Sequence, residues 1–176
     1  MDNGLPILQN LSGLAMPMLH APRAGDYAAL ATWVTDAMAC ARWAGPLIRF
    51  PLDAATLPAA LAIGDNTSYF LAKETALAFG QHRVIEAGGV HLGRIIVAPA
   101  MRGTGLGRVL VEQLITKALA ATSAGHVTLR VYRDNPQALA LYRGFGFEMI
   151  DEKSDHAVYF MRVDTASLRI RAEKTA

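Results

Sequence analysis

Three glycines, Gly103, Gly105 and Gly107, alternate between a short apolar run and a helical pattern in IIVAPAMRGTGLGRVLVEQLI, residues 95–115. No other stretch constrains the chain as much. A strand must end there and a helix must begin. Glycines let the backbone take left-handed angles and come close to an anion. The first N–H groups of a helix have no helical partner, and its dipole adds roughly half a positive charge. Together these features make an anion nest. The helix is well marked: Leu110, Val111, Leu114, Ile115, Ala118 and Leu119 share one half of the wheel. Glu112, Gln113, Thr116 and Lys117 share the other, with Val109 the one misfit.

Which phosphate such a turn holds depends on its spacing. A P-loop needs Lys-Ser/Thr after the last glycine, and Gly107 is followed by Arg108 and Val109. A dinucleotide fingerprint needs a third glycine where Arg108 stands. Its turn also follows the strand directly, whereas Pro99 to Arg102 separate this turn from Val97. Neither reading fits.

The rest of the chain gives an element order. Leu14 to Pro22 reads as a first strand. Asp26 is expected to cap a helix over Tyr27–Thr35, and a second short helix runs through Asp36–Trp43. A proline-rich loop with a short helix leads to strands at Ser68–Glu74 and Ala76–Ile85. The latter turns through Glu86–Gly89 into Val90–Pro99. After the glycine helix come a strand, His126–Tyr132, and a helix capped by Asn135, with Pro136 in its first turn and Gly144 at its stop. Two strands, FEMID and AVYFMRVD, follow around the turn EKSD. This order implies an α/β single-domain fold: a mixed sheet with antiparallel edges, a parallel strand–helix–strand unit at its centre, and helices on both faces. Residues 1–13 read as a loose arm, 14–165 as the domain and 166–176 as a polar tail.

Composition excludes several classes. The formal charge of +2, without a Lys/Arg block, gives no case for nucleic acid. No apolar run approaches a membrane span, and the first residues lack a basic, apolar leader pattern. One cysteine, Cys40, allows no internal disulfide and reads as a buried structural thiol. The chain is expected to be soluble and cytoplasmic, with no metal site.

Arg102 to Gly107, RGTGLG, resembles the Arg/Gln-x-x-Gly-x-Gly/Ala signature of the GNAT N-acetyltransferases. IIVAPAM resembles that family's strand lead-in, and NPQALALYRGFGF resembles its later block, in the right order and spacing. The resemblance implies the acyl-CoA N-acyltransferase fold: a mostly antiparallel central sheet with a splayed parallel strand pair. It implies acetyl-CoA as donor and a primary amine as acceptor. The pyrophosphate site carries over to Arg102, Gly103, Thr104, Gly105, Leu106, Gly107 and Arg108. The pantetheine arm maps to the backbone of Ile95, Ile96 and Val97, and Asn135 to a cofactor contact that is also a helix cap. Pantetheine is an amide chain, so extending a strand edge is sound physics. A homodimer through the late strands stays open.

Acyl transfer to an amine needs proton removal, stabilisation of the oxyanion and a proton for the thiolate. The resemblance makes Tyr142, seven residues after Asn135, the acid toward the thiolate; plain packing of its helix is the alternative. A family glutamate five residues before the asparagine is replaced here by Arg130. His91 is then the candidate base, with Glu86 or water as alternatives. Arg94 could hold an acidic group or form a surface ion pair. Arg42, Trp43, Arg49, Phe50, Tyr69 and His82 are candidate acceptor walls. A non-catalytic acyl-CoA sensor on the same fold is the alternative function, and a test on amines separates the two.

Overall fold

The computed structural model describes residues 16–62 and 67–168. The expected arm at 1–13 and most of the expected tail lie outside them. The strands are β1 (Met18–His20), β2 (Thr67–Ala72), β3 (Ala76–Glu86), β4 (Gly89–Val97), β5 (His126–Tyr132), β6 (Glu148–Met149) and β7 (Val158–Asp164). The helices are α1 (Asp26–Thr32), α2 (Ala37–Ala44), α3 (Leu57–Leu61), α4 (Leu106–Ala121) and α5 (Pro136–Phe145). The strands form one seven-stranded sheet in the order β1-β2-β3-β4-β5-β7-β6. Only β4 and β5 run parallel; every other neighbouring pair is antiparallel.

Helices cover both faces, each over its own apolar cluster. On one face Leu110, Val111, Leu114 and Ala118 of α4 and Leu139 of α5 pack on Val90, Leu92, Val127 and Leu129. The odd residues of β5 point this way, as strand alternation requires. On the other face Leu30, Trp33, Cys40, Leu57 and Leu61 from α1–α3 pack on Phe70 and Phe79. Val109, the misfit of the α4 wheel, is half-buried against the first cluster. Gly80 lets α4 close onto β3: a Cβ there would sit 2.8 Å from Leu114 Cδ2. Cys40 is buried with its thiol 3.4 Å from the Ile48 carbonyl, and burial pushes its pKa up, as befits a structural thiol.

Two helix ends differ from expectation. Gly25, with φ 91°, occupies the N-cap of α1, while Asp26 lies inside the first turn and accepts from the Arg23 N–H. The chain enters from a left-handed turn, which glycine tolerates and aspartate does not need to supply. The stop of α5 is Gly146, with φ 92°, and Gly144 lies within the helix. Both glycines fit a C-terminal signal by sequence; only the one that follows Phe145 takes the left-handed angle. Residues 165–168 are helical, and Leu168 packs against the first cluster. Among the described residues no helix is long and apolar enough to cross a membrane.

Candidate active site

The site begins where the parallel pair stops pairing. β4 and β5 are in register from Gly89–His126 to Leu92–Leu129, and no further. Beyond Leu92, β4 keeps only its β3 partner, with Phe79 opposite Ile96 and Ala78 opposite Val97. Its other edge therefore faces a gap rather than a strand. The register slips between Phe79 and Gln81, and opposite that slip Arg94 takes φ 50°. A left-handed angle on a residue with a Cβ is costly and persists only where the surroundings fix it.

Those surroundings are polar and specific. Arg94 Nη1 donates to Gln81 Oε1 at 2.7 Å, and its Nε to the Ala44 carbonyl at 3.4 Å. Gln81, 1% exposed, spends its amide nitrogen on the Leu61 carbonyl and Ser68 Oγ, both at 2.8 Å. The Trp43 indole N–H donates to the Arg94 carbonyl at 2.8 Å. The bulge is thus tied to α2, α3, β2 and β3 at once. Among the described residues Arg94 forms no surface ion pair; it is hydrogen-bonded as a structural tie.

The glycine turn follows at the far end of β4. Gly103 and Gly105 sit at φ 78° and 86°, and a Cβ on either would meet nothing within 4 Å. Packing therefore does not explain these glycines; the backbone angles and an open approach do. The helical ladder of α4 starts at Arg108 N and Val109 N, both donating to the Gly105 carbonyl. The amides from Gly103 to Gly107 lie ahead of it. Thr104 Oγ1 steadies the turn on the Met101 carbonyl at 2.7 Å, and Arg102 Nε reaches the Val97 carbonyl at 3.3 Å. Arg108 is exposed and its guanidinium lies over the Phe145 ring at 4.8 Å.

The other wall comes from α5. The Asn135 side chain caps it, accepting from the Ala138 N–H at 3.1 Å. Tyr142 is buried beside Phe147, and burial pushes its phenol up to about 12. Such a phenol keeps its proton at every physiological pH.

These parts meet in one cleft of about 800 Å³ between α2, the splayed strands and α5. Of the expected site residues, Ile95, Ile96, Val97, Arg102, Gly103, Gly107, Asn135 and Tyr142 line it. Thr104, Gly105, Leu106 and Arg108 belong to the same turn without lining the cavity. His91 is not brought there. Its Nδ1 lies 2.9 Å from Thr128 Oγ1 and its ring stacks on Phe160, where β4 and β5 still pair. Burial first, then Arg83 and Arg130, push it down to about 4, so it is neutral at pH 7.

Among the expected acceptor walls, Arg42 and Trp43 line the cleft. Arg49 instead lines a smaller cavity of about 300 Å³ beside α3. Tyr69 and His82 stack on each other at 5.6 Å, away from the cleft, and Phe50 is exposed. Two contributors escaped the sequence reading: Gln81, and Asp134, which holds Arg42 through both guanidinium nitrogens, one at 3.0 Å. Gln81 gives no sequence signal, because its partners are distant in the chain. Asp134 stands next to Asn135 in a turn where an acid needs no explanation.

The fold is of the α/β class: a parallel strand pair opens beside a glycine-lined helix start, and a buried phenol lines the same cleft. A sequence profile of the acetyltransferase (GNAT) family matches residues 30–147. The chain belongs to that family. Solved structures agree in fold. A spermidine N-acetyltransferase from Vibrio cholerae, in complex with CoA and spermine, superposes with a TM-score of 0.69 at 16% identity, covering 88% of this chain and 98% of that one. The aminoglycoside acetyltransferase AAC(6')-Ib, in complex with ribostamycin and coenzyme A, gives 0.70 at 17% identity, covering 88% and 97%. By sequence, the uncharacterized protein ML0378 of Mycobacterium leprae (strain TN) is 46% identical over 56 residues, 32% of this chain. The matched segment spans 14% of that protein's length.

Proposed function

We propose that this protein transfers an acetyl group from acetyl-CoA to a primary amine by direct attack within a ternary complex. The observation that carries the reading is the open β4 edge, which leads to the glycine turn and shares one cleft with Tyr142. The fit of the donor rests on chain features alone. Gly103 and Gly105 leave room where a Cβ would stand, and amides ahead of the α4 ladder are free to take an anion. Bound acetyl-CoA supplies an activated acetyl group and a thiolate that leaves.

The residues do the rest. Amides from Gly103 to Gly107, with Arg102 and Arg108, receive the pyrophosphate. The backbone of Ile95 to Val97 orients the amide arm as an added strand would. Tyr142, protonated because it is buried, donates to the departing sulfur. Asn135 holds the start of α5, and so the placement of Tyr142. No side chain is assigned as base. The amine enters deprotonated or passes its proton to water, and alignment supplies much of the rate. Relatives of this fold that take spermine or ribostamycin support an amine acceptor.

The test follows free thiol release from acetyl-CoA across an amine panel, with CoA binding measured separately. Turnover on an amine, reduced roughly hundredfold by Tyr142→Phe with CoA affinity retained, is the expected result. Tight binding with no turnover on any amine would make the protein a sensor, and absence of CoA binding would remove the reading altogether.

A further inference from the structure

The cleft's charges identify the kind of amine it takes. Among the described residues four arginines line it, Arg42, Arg94, Arg102 and Arg130, against a single carboxylate, Asp36. Most of these side chains already have structural partners. Asp36 caps α2, accepting from the Ala39 N–H at 2.8 Å. Arg42 is held by Asp134, and Arg94 by Gln81 and the Ala44 carbonyl. Arg102 belongs to the glycine turn at the phosphate end.

Arg130 is different. It is exposed, and among the described residues its guanidinium makes no ion pair; it lies 5.7 Å over the Phe160 ring. An acid that feels it, Asp155, is bound chiefly by the Ala157 and Val158 amides. Strand alternation puts Arg130 on the same face of β5 as Tyr132, whose ring carries the Arg42 guanidinium at 4.0 Å. A planar cation with no ion pair among the described residues therefore stands on the β5 wall, beyond the point where β4 leaves it. Trp33, Met38 and Trp43 supply apolar surface to the same cleft.

We infer that the acceptor is a primary amine carrying its own carboxylate, which Arg130 receives while the apolar residues hold the body of the molecule. This rests on the acetyl-transfer reading above. A guanidinium matches a carboxylate with two parallel hydrogen bonds and complements its charge. A second ammonium at the same place would instead face an unpaired arginine, and among the described residues the cleft has no free carboxylate to offset that. Arg130 is thus the specificity-determining residue, distinct from the donor-binding turn and from Tyr142.

The experiment compares matched amines on the full-length protein: leucine and phenylalanine, each against its carboxamide, with spermidine as the polycation. CoA affinity is measured in parallel by calorimetry. The carboxamide amine sheds its proton more readily, so a preference for the acid runs against intrinsic reactivity. Expected is a kcat/KM roughly ten- to hundredfold higher for the carboxylates. Arg130→Gln should erase the difference mainly through KM, with CoA affinity unchanged, and Arg130→Lys should restore part of it. A wild-type preference for carboxamides or spermidine overturns the inference, as does a carboxylate preference that survives Arg130→Gln. Loss of CoA binding by the wild type would instead bring down the acetyl-transfer reading on which the inference stands.

Discussion

Replacing Gly105 tests the glycine turn without disturbing the core. At φ 86° this residue begins α4, and an added Cβ would meet nothing within 4 Å. In the free protein, Gly105→Ala then costs only the left-handed strain, about 1–2 kcal/mol. For a domain of this size that is a fall in Tm of about 2–8 °C. Asparagine tolerates left-handed angles, so Gly105→Asn should recover much of the loss. Coenzyme A should respond differently. In the proposed cradle either side chain would stand where the phosphate oxygens approach, and losing one charge-assisted hydrogen bond costs about 1.5–3 kcal/mol, roughly ten- to hundredfold in Kd. Calorimetric titration with CoA reads this directly, and urea denaturation gives the stability. Gly80→Ala is the control. Its Cβ would press on Leu114 under α4, costing about 1–3 kcal/mol of stability with CoA affinity unchanged. Wild-type affinity in Gly105→Asn would refute the cradle, because the strain would then be the glycine's whole purpose.

Three further outcomes follow from the geometry. Gln81→Leu strands the Arg94 guanidinium and the Leu61 carbonyl in a part-buried site, so stability should fall by about 2–3 kcal/mol in denaturant titrations. Acetyl transfer should fall with it as the bulge loosens, whereas a substitution at the exposed Glu112 should change neither. His91 is favoured neutral in the folded chain, so the stability it contributes is complete above pH 6.5 and is withdrawn as pH falls to about 4. Wild type should lose about 3 kcal/mol more than His91→Gln between pH 7 and pH 4, read by urea unfolding at each pH. With the Tyr142 phenol pushed up to about 12, the dependence of kcat/KM on pH should show no alkaline limb at pH 10; a limb there would remove Tyr142 as the proton donor.

What the sequence disclosed, and what it hid, divides by the range of the forces involved. The wheel of α4, the glycine turn between strand and helix and the Asn135 cap are local: each is written within a few residues, and each is present as an element of the fold. The caps at Gly25 and Gly146 failed by one and two positions, because aspartate and glycine both carry cap signals and only the entering backbone angle chooses between them. The splay was carried by resemblance to a family; no periodicity in β4 announces that its ladder to β5 stops at Leu92. The contacts that hold the neighbouring bulge are long-range. The bulge at Arg94 is paid for by Gln81, thirteen residues away, and by Trp43 and Ala44, some fifty away. Arg94 looks by sequence like a free cation near a reaction, and Arg130 like the loss of a base. In the structure Arg94 is hydrogen-bonded into the bulge of β4, and Arg130 is the cation that the inference above offers to a substrate.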